Sequence, residues 1–106
     1  METPNLSYIK ELSGGDTDFE QKILHILHEE FPQEKEAFYT YLKQKDFGLA
    51  ADLVHKLKHK VSILGLTQGY TLATLFEEEL REGNLQQLDQ FDGVLSSITQ
   101  FLDPID

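Results

Sequence analysis

Phe47 to Gly65 reads FGLAADLVHKLKHKVSILG. Within it Phe47, Ala50, Val54, Leu57, Val61 and Leu64 follow one another at spacings of 3, 4, 3, 4 and 3. That is the apolar stripe of an amphipathic helix with one face in a core. Asp46 stands where an N-cap carboxylate belongs, and Gly65 is the expected stop after Ile63 or Leu64. At ~100° per residue, His55 projects roughly 130° from the middle of the stripe. His59 and Ser62 share that outward side, Lys58 flanks it from the edge nearest the core, and Leu53 widens the buried face. The stretch therefore predicts a helix that carries two exposed imidazoles and lysines at 56, 58 and 60.

The same period extends in both directions. Phe19, Ile23, Ile26, Leu27 and Phe31 recur at helical spacing after a capping Asp16, and Ala37, Phe38, Tyr41 and Leu42 continue the pattern. Pro32 removes one backbone donor, yet the periodicity on both sides favours one long bent helix to about Gln44. A short helix over Leu6–Leu12 ends at Gly14-Gly15. Thr67 is the expected cap of a helix reaching about Glu82, and Leu85–Leu102 carries Leu88, Phe91, Leu95, Ile98 and Leu102 on one face. Nothing alternates with period two for long enough to suggest a sheet. Short loops make the long helices antiparallel neighbours, so residues 1–106 are expected to form a single all-α domain: an antiparallel four-helix bundle with an additional short N-terminal helix.

Composition narrows the function. The 106 residues are 40% apolar and 26% charged, and contain no cysteine, which excludes disulfides and thiolate metal sites. No apolar run approaches the ~20 residues of a membrane span, and METPNLSYIK lacks the layout of a secretory signal. A cytoplasmic monomer is the expectation. The net charge of −10 argues against binding to nucleic acid or an anionic membrane, because both rest on Lys and Arg contacts to phosphate. Three lysines in five residues are an exception to that field.

His55 and His59 at i, i+4 can in principle share a metal, as in H-E-x-x-H. Here Lys56 stands where that motif has its Glu, three lysines oppose a dication, and no third ligand is evident, so no metal is expected. A nucleic-acid patch would need Arg or interleaved aromatics, and this segment has neither. Phosphate handling uses every piece. An exposed imidazole, with an ordinary pKa of about 6.5, is a nucleophile toward phosphorus, and a lysine one turn away neutralises phosphoryl oxygens.

In this register His55, Leu57, Lys58 and Gly65 resemble the signature of histidine-containing phosphotransfer (HPt) domains. That signature is approximately H-x-[LI]-K-[GS] with a Gly about ten residues after the His. LSYIKELSGGDTDF, Lys45-Asp46-Phe47 and LREGN also resemble that family, so the likeness runs from about Asn5 to Leu102. The resemblance implies a phosphorelay intermediate of two-component signalling. His55 would accept a phosphoryl group from a receiver-domain aspartate and pass it to another receiver. Lys58 would reach toward His55 and stabilise the phosphoryl group. Lys56, His59 and Ser62 would meet the partner, with Lys56, Lys58 and Lys60 together facing its acidic pocket. The partners implied are receiver domains of response regulators and hybrid histidine kinases. No cofactor of its own is expected, since Mg2+ belongs to the receiver.

There is no Gly-rich nucleotide loop, so the chain is expected to carry phosphate rather than act as an enzyme. Met1 and the short tail after the last helix suggest a stand-alone protein, and a piece of a hybrid kinase would look similar. His59 departs from the family, which usually has Gly or another small residue there to admit the partner's loop. It opens an alternative: a non-catalytic HPt-like module that binds receivers without phosphotransfer. Glu77-Glu78-Glu79 reads as a solvated face, and His25 and His28 as edge residues of the second helix.

Overall fold

The computed structural model describes residues 2–105. It contains five helices: α1 (Ser7–Ser13), α2 (Thr17–Lys43), α3 (Phe47–Ile63), α4 (Thr67–Arg81) and α5 (Leu88–Leu102). No strand occurs among the described residues. The two acidic caps form as the sequence predicts. Asp16 Oδ1 accepts from Phe19 N and Asp46 Oδ1 from Leu49 N, each at 3.2 Å, which satisfies amides that a helix start leaves unpaired. Asp18 and Glu20 add negative charge to the first turn of α2, where the helix dipole favours it. α2 continues through the exposed Pro32, so the missing backbone bond does not end the helix.

Gly65 ends α3 at φ +79°, in the left-handed region that favours glycine. A β-carbon there would also lie 2.6 Å from Asn5 Nδ2, because the N-terminal arm packs over this turn. Asn5 N donates to Leu64 O at 2.8 Å, which ties that arm to the end of α3.

Two boundaries differ from expectation. Thr67 is not a cap. It is the first helical residue of α4, whose N-cap Leu66 offers no side-chain bond. The capping carboxylate comes instead from Glu2, which accepts from Gln68 N at 2.7 Å and Gly69 N at 3.0 Å. α5 begins at Leu88 rather than near Leu85, because Asn84 Oδ1 accepts from Gln86 N at 2.8 Å and holds the preceding residues in a turn.

α3 lies at the centre, packed mainly against α4 and α2, and α5 closes the bundle against those two. Of the α3 stripe, Ala50, Val54, Leu57, Val61 and Leu64 are fully buried, while Phe47 is half-buried. Phe38, Phe76 and Phe91, from α2, α4 and α5, meet at centroid separations of 5.2–6.2 Å and fill the middle of the core. α1 lies on α2 through the buried Ile9. Across the α2–α5 seam Lys35 Nζ donates to Thr99 Oγ1, and the Tyr39 hydroxyl donates to Asp92. Burial, and then the Asp92 carboxylate, push the Tyr39 phenol above its ordinary range. The consequence for function is that α3 is held on both flanks, with its outward edge left bare beside α4.

Candidate phosphoacceptor site

Burial of the α3 stripe leaves His55 on the surface, its side chain 53% accessible. Its Nδ1 lies 3.2 Å from Glu77 Oε1 on α4. Glu77 follows Phe76, whose ring is fully buried, so its carboxylate is drawn down between the helices and only 14% of the side chain is accessible. Lys58 Nζ reaches the same oxygen at 3.1 Å. Arg81 reaches Glu77 Oε2 at 3.3 Å and Asp52 Oδ1 at 3.0 Å. One carboxylate thus gathers an imidazole, an ammonium and a guanidinium.

Burial pushes the Glu77 carboxyl up, but the hydrogen bonds from Lys58, His55 and Arg81 outweigh it and hold the group below its ordinary value. Glu77 is therefore ionised at neutral pH and acts as an acceptor. A neutral imidazole that donates through Nδ1 carries its lone pair on Nε2, the nitrogen that Glu77 does not occupy.

Lys58 departs from expectation in its direction. Its stem is buried, its side chain only 11% accessible, and its ammonium ends on the shared carboxylate instead of reaching directly toward His55. The ammonium also stands 5.6 Å from the centre of the Tyr70 ring. Lys60 departs further. It turns away to α2, where Nζ meets Glu30 Oε1 and Glu34 Oε2, each at 3.0 Å. The three lysines therefore do not form one landing surface. Only Lys56 is exposed and without an ion pair among the described residues.

His59 is exposed and meets His55 edge to face, with ring centroids 5.1 Å apart and planes at 90°. Ser62 is exposed one turn beyond. His25 is exposed and His28 half-buried, which fits their reading as edge residues.

Sequence reasoning missed Glu77, Arg81, Asp52 and Tyr70. The run Glu77-Glu78-Glu79 is not a solvated face, since only Glu78 is exposed. Glu79 Oε2 is buried without a hydrogen-bond partner among the described residues. A signal for Glu77 was present: it immediately follows a core phenylalanine and precedes Arg81 by four residues.

No helix among the described residues is long and apolar enough to cross a membrane. A family model described as "Hpt domain" matches residues 22–102, which takes in nearly all of α2 through the end of α5, with His55 and Glu77 inside. α1 and the Gly14-Gly15-Asp16 turn lie outside that match. No curated protein and no solved structure matches the chain.

Proposed function

The chain belongs to the Hpt domain family, phosphocarrier modules of two-component phosphorelays rather than kinases, and from that premise we propose that His55 is its phosphoacceptor. Interaction with receiver domains follows from the family. The observation that carries the residue assignment is the tether: Nδ1 is bound to an ionised carboxylate while more than half of the side chain stays accessible.

Nε2 attacks the phosphorus of a receiver's aspartyl phosphate in line. The P–O bond to the aspartate breaks, its carboxylate leaves with the electron pair, and the N–P bond forms. No proton has to move, because the attacking nitrogen carries none. The product ring is an imidazolium, and Glu77 faces its new positive charge much as a buried carboxylate supports a catalytic histidine. Attack by a second receiver's aspartate reverses the step. The Lys58 ammonium lies on the same carboxylate as the ring and balances charge as the phosphoryl group arrives. His59, Ser62 and Lys56 lie exposed around His55 and meet the partner. Mg2+ stays with the receiver.

Incubation with a phosphorylated receiver and Mg2+ tests the assignment. Acid-labile label is expected on the wild type and on His59→Gln, and none on His55→Gln. Label persisting on His55→Gln would remove His55 from the role. Stable receiver binding with no label on the wild type would favour the non-catalytic module, with His59 as the obstruction.

A further inference from the structure

We infer that His55 and His59 form a chelating site for a nitrogen-preferring divalent metal such as Zn2+, and that metal held there blocks phosphoryl transfer. The binding stands on the geometry of the pair. The block rests on His55 being the phosphoacceptor.

Two imidazoles on one tetrahedral zinc, each with a Zn–N bond of about 2.1 Å, have ring centroids about 5 Å apart. The observed separation is 5.1 Å, the same spacing. The rings now stand edge to face, and no hydrogen bond or ion pair among the described residues restrains the exposed His59 from turning about its side-chain torsions. His55 is already set as a ligand. Its Nδ1 faces the Glu77 carboxylate, which fixes the tautomer and leaves Nε2 as the nitrogen open to a metal, as partners of metal-bound histidines do.

Two of the three neighbouring lysines are already neutralised by carboxylates. Lys58 is paired with Glu77, and Lys60 with Glu30 and Glu34 on the α2 side, so that of the three only Lys56 has no ion pair among the described residues. The chain as a whole, at −10, attracts cations. Among the described residues no group of three His, Cys, Asp or Glu is placed to hold a metal. Water therefore completes the coordination, and binding is reversible. Mg2+ prefers oxygen ligands and keeps its waters, so it does not compete. A metal on His55 Nε2 occupies the lone pair that the transfer step requires.

Zn2+ titrated calorimetrically into the full chain at neutral pH is expected to bind one equivalent and to shift the ring-proton resonances of His55 and His59. His55→Gln and His59→Gln should each weaken binding at least tenfold, with helix content by circular dichroism unchanged. The double variant His25→Gln/His28→Gln, which removes the chain's other histidines, should bind as wild type. Binding that survives His59→Gln, or that is lost with His25 and His28, would overturn the site.

For the block, transfer from a phosphorylated receiver is followed against Zn2+ at constant Mg2+, each variant normalised to its own zinc-free rate. Half-inhibition in His59→Gln should move at least tenfold to higher Zn2+. Equal inhibition of both proteins would place the metal on the receiver and overturn the block. Absence of transfer without zinc would remove the phosphoacceptor reading, and the block with it, while the binding result stands.

Discussion

Lys58 and Lys60 stand two residues apart on α3, each with a side chain 11% accessible and each ending on carboxylates of a neighbouring helix. Their surroundings differ in charge. On the α4 side, Lys58 and Arg81 face Glu77 and Asp52, two cations against two carboxylates, with His55 attached and the exposed Lys56 nearby. On the α2 side, Lys60 alone faces Glu30 and Glu34. Among these groups the α4 side carries no excess of negative charge and can accept that of a phosphoryl group. The other already carries an excess of negative charge. The same residue type thus belongs to a site on one flank and braces two helices on the other, and the acids across the groove make the difference.

Methionine at either position keeps the buried stem and deletes the charge, so a matched pair of variants can break this contrast. Lys58→Met is expected to slow phosphoryl transfer about a hundredfold, the usual scale for losing one charge-stabilising donor, and to cost less stability than the loss of Lys60, because His55 and Arg81 still hold Glu77. Lys60→Met should do the reverse. It leaves Glu34, only 19% accessible, without its cation. Breaking such a partly buried pair costs about 2 kcal/mol, lowering Tm by about 10 °C. Stopped-flow transfer rates and thermal unfolding of both variants settle the matter. Equal losses of rate in the two variants would mean the flanks are not distinct.

That contrast was only half legible in the sequence. The stripe from Phe47 to Leu64 places His55 outward without reference to any other helix, because helical period alone decides it. It also puts Lys58 and Lys60 near the two edges of the buried face. What lies across each edge depends on how far α4 and α2 slide along α3, and no single-helix pattern contains that register. Glu77 was misread for this reason: three consecutive glutamates look solvated until α4 turns the first toward α3. The α4 cap failed similarly, since Glu2 reaches it only through the tertiary fold. Asp16 and Asp46, whose bonds close three residues away, were readable.

Acid sharpens the comparison at the shared carboxylate. The hydrogen bonds that outweigh burial hold the Glu77 carboxyl below its ordinary value of 4.5. A depressed folded-state pKa contributes stability that is fully present above the unfolded value and lost as pH falls through the folded one. The wild type should therefore lose this contribution only below about pH 4.5. Glu77→Gln should flatten that part of the pH–stability curve, and at neutral pH it should slow transfer about tenfold by loosening the His55 ring. Denaturant unfolding from pH 3 to 7 checks the first expectation. An unchanged acid slope would mean that Glu77 is not held by its three partners in solution.

The smallest effect belongs to Lys56, and it isolates what a charge does when it has neither role. Lys56 is exposed beside His55 and without an ion pair among the described residues, so Lys56→Ala disturbs no packing and leaves no carboxylate unpaired. What remains for it is attraction at a distance toward the acidic pocket of a receiver. A rim charge of that kind changes the association rate and its salt dependence rather than the chemistry. At physiological ionic strength, where screening acts over about 8 Å, the bimolecular transfer rate should fall about twofold. At molar salt the variant and the wild type should converge, because screening then acts within about 3 Å. The rate at saturating receiver should be the same at both salt concentrations. If Lys56→Ala slows that saturated rate, Lys56 touches the phosphoryl group, and the site side of α3 holds two catalytic lysines instead of one.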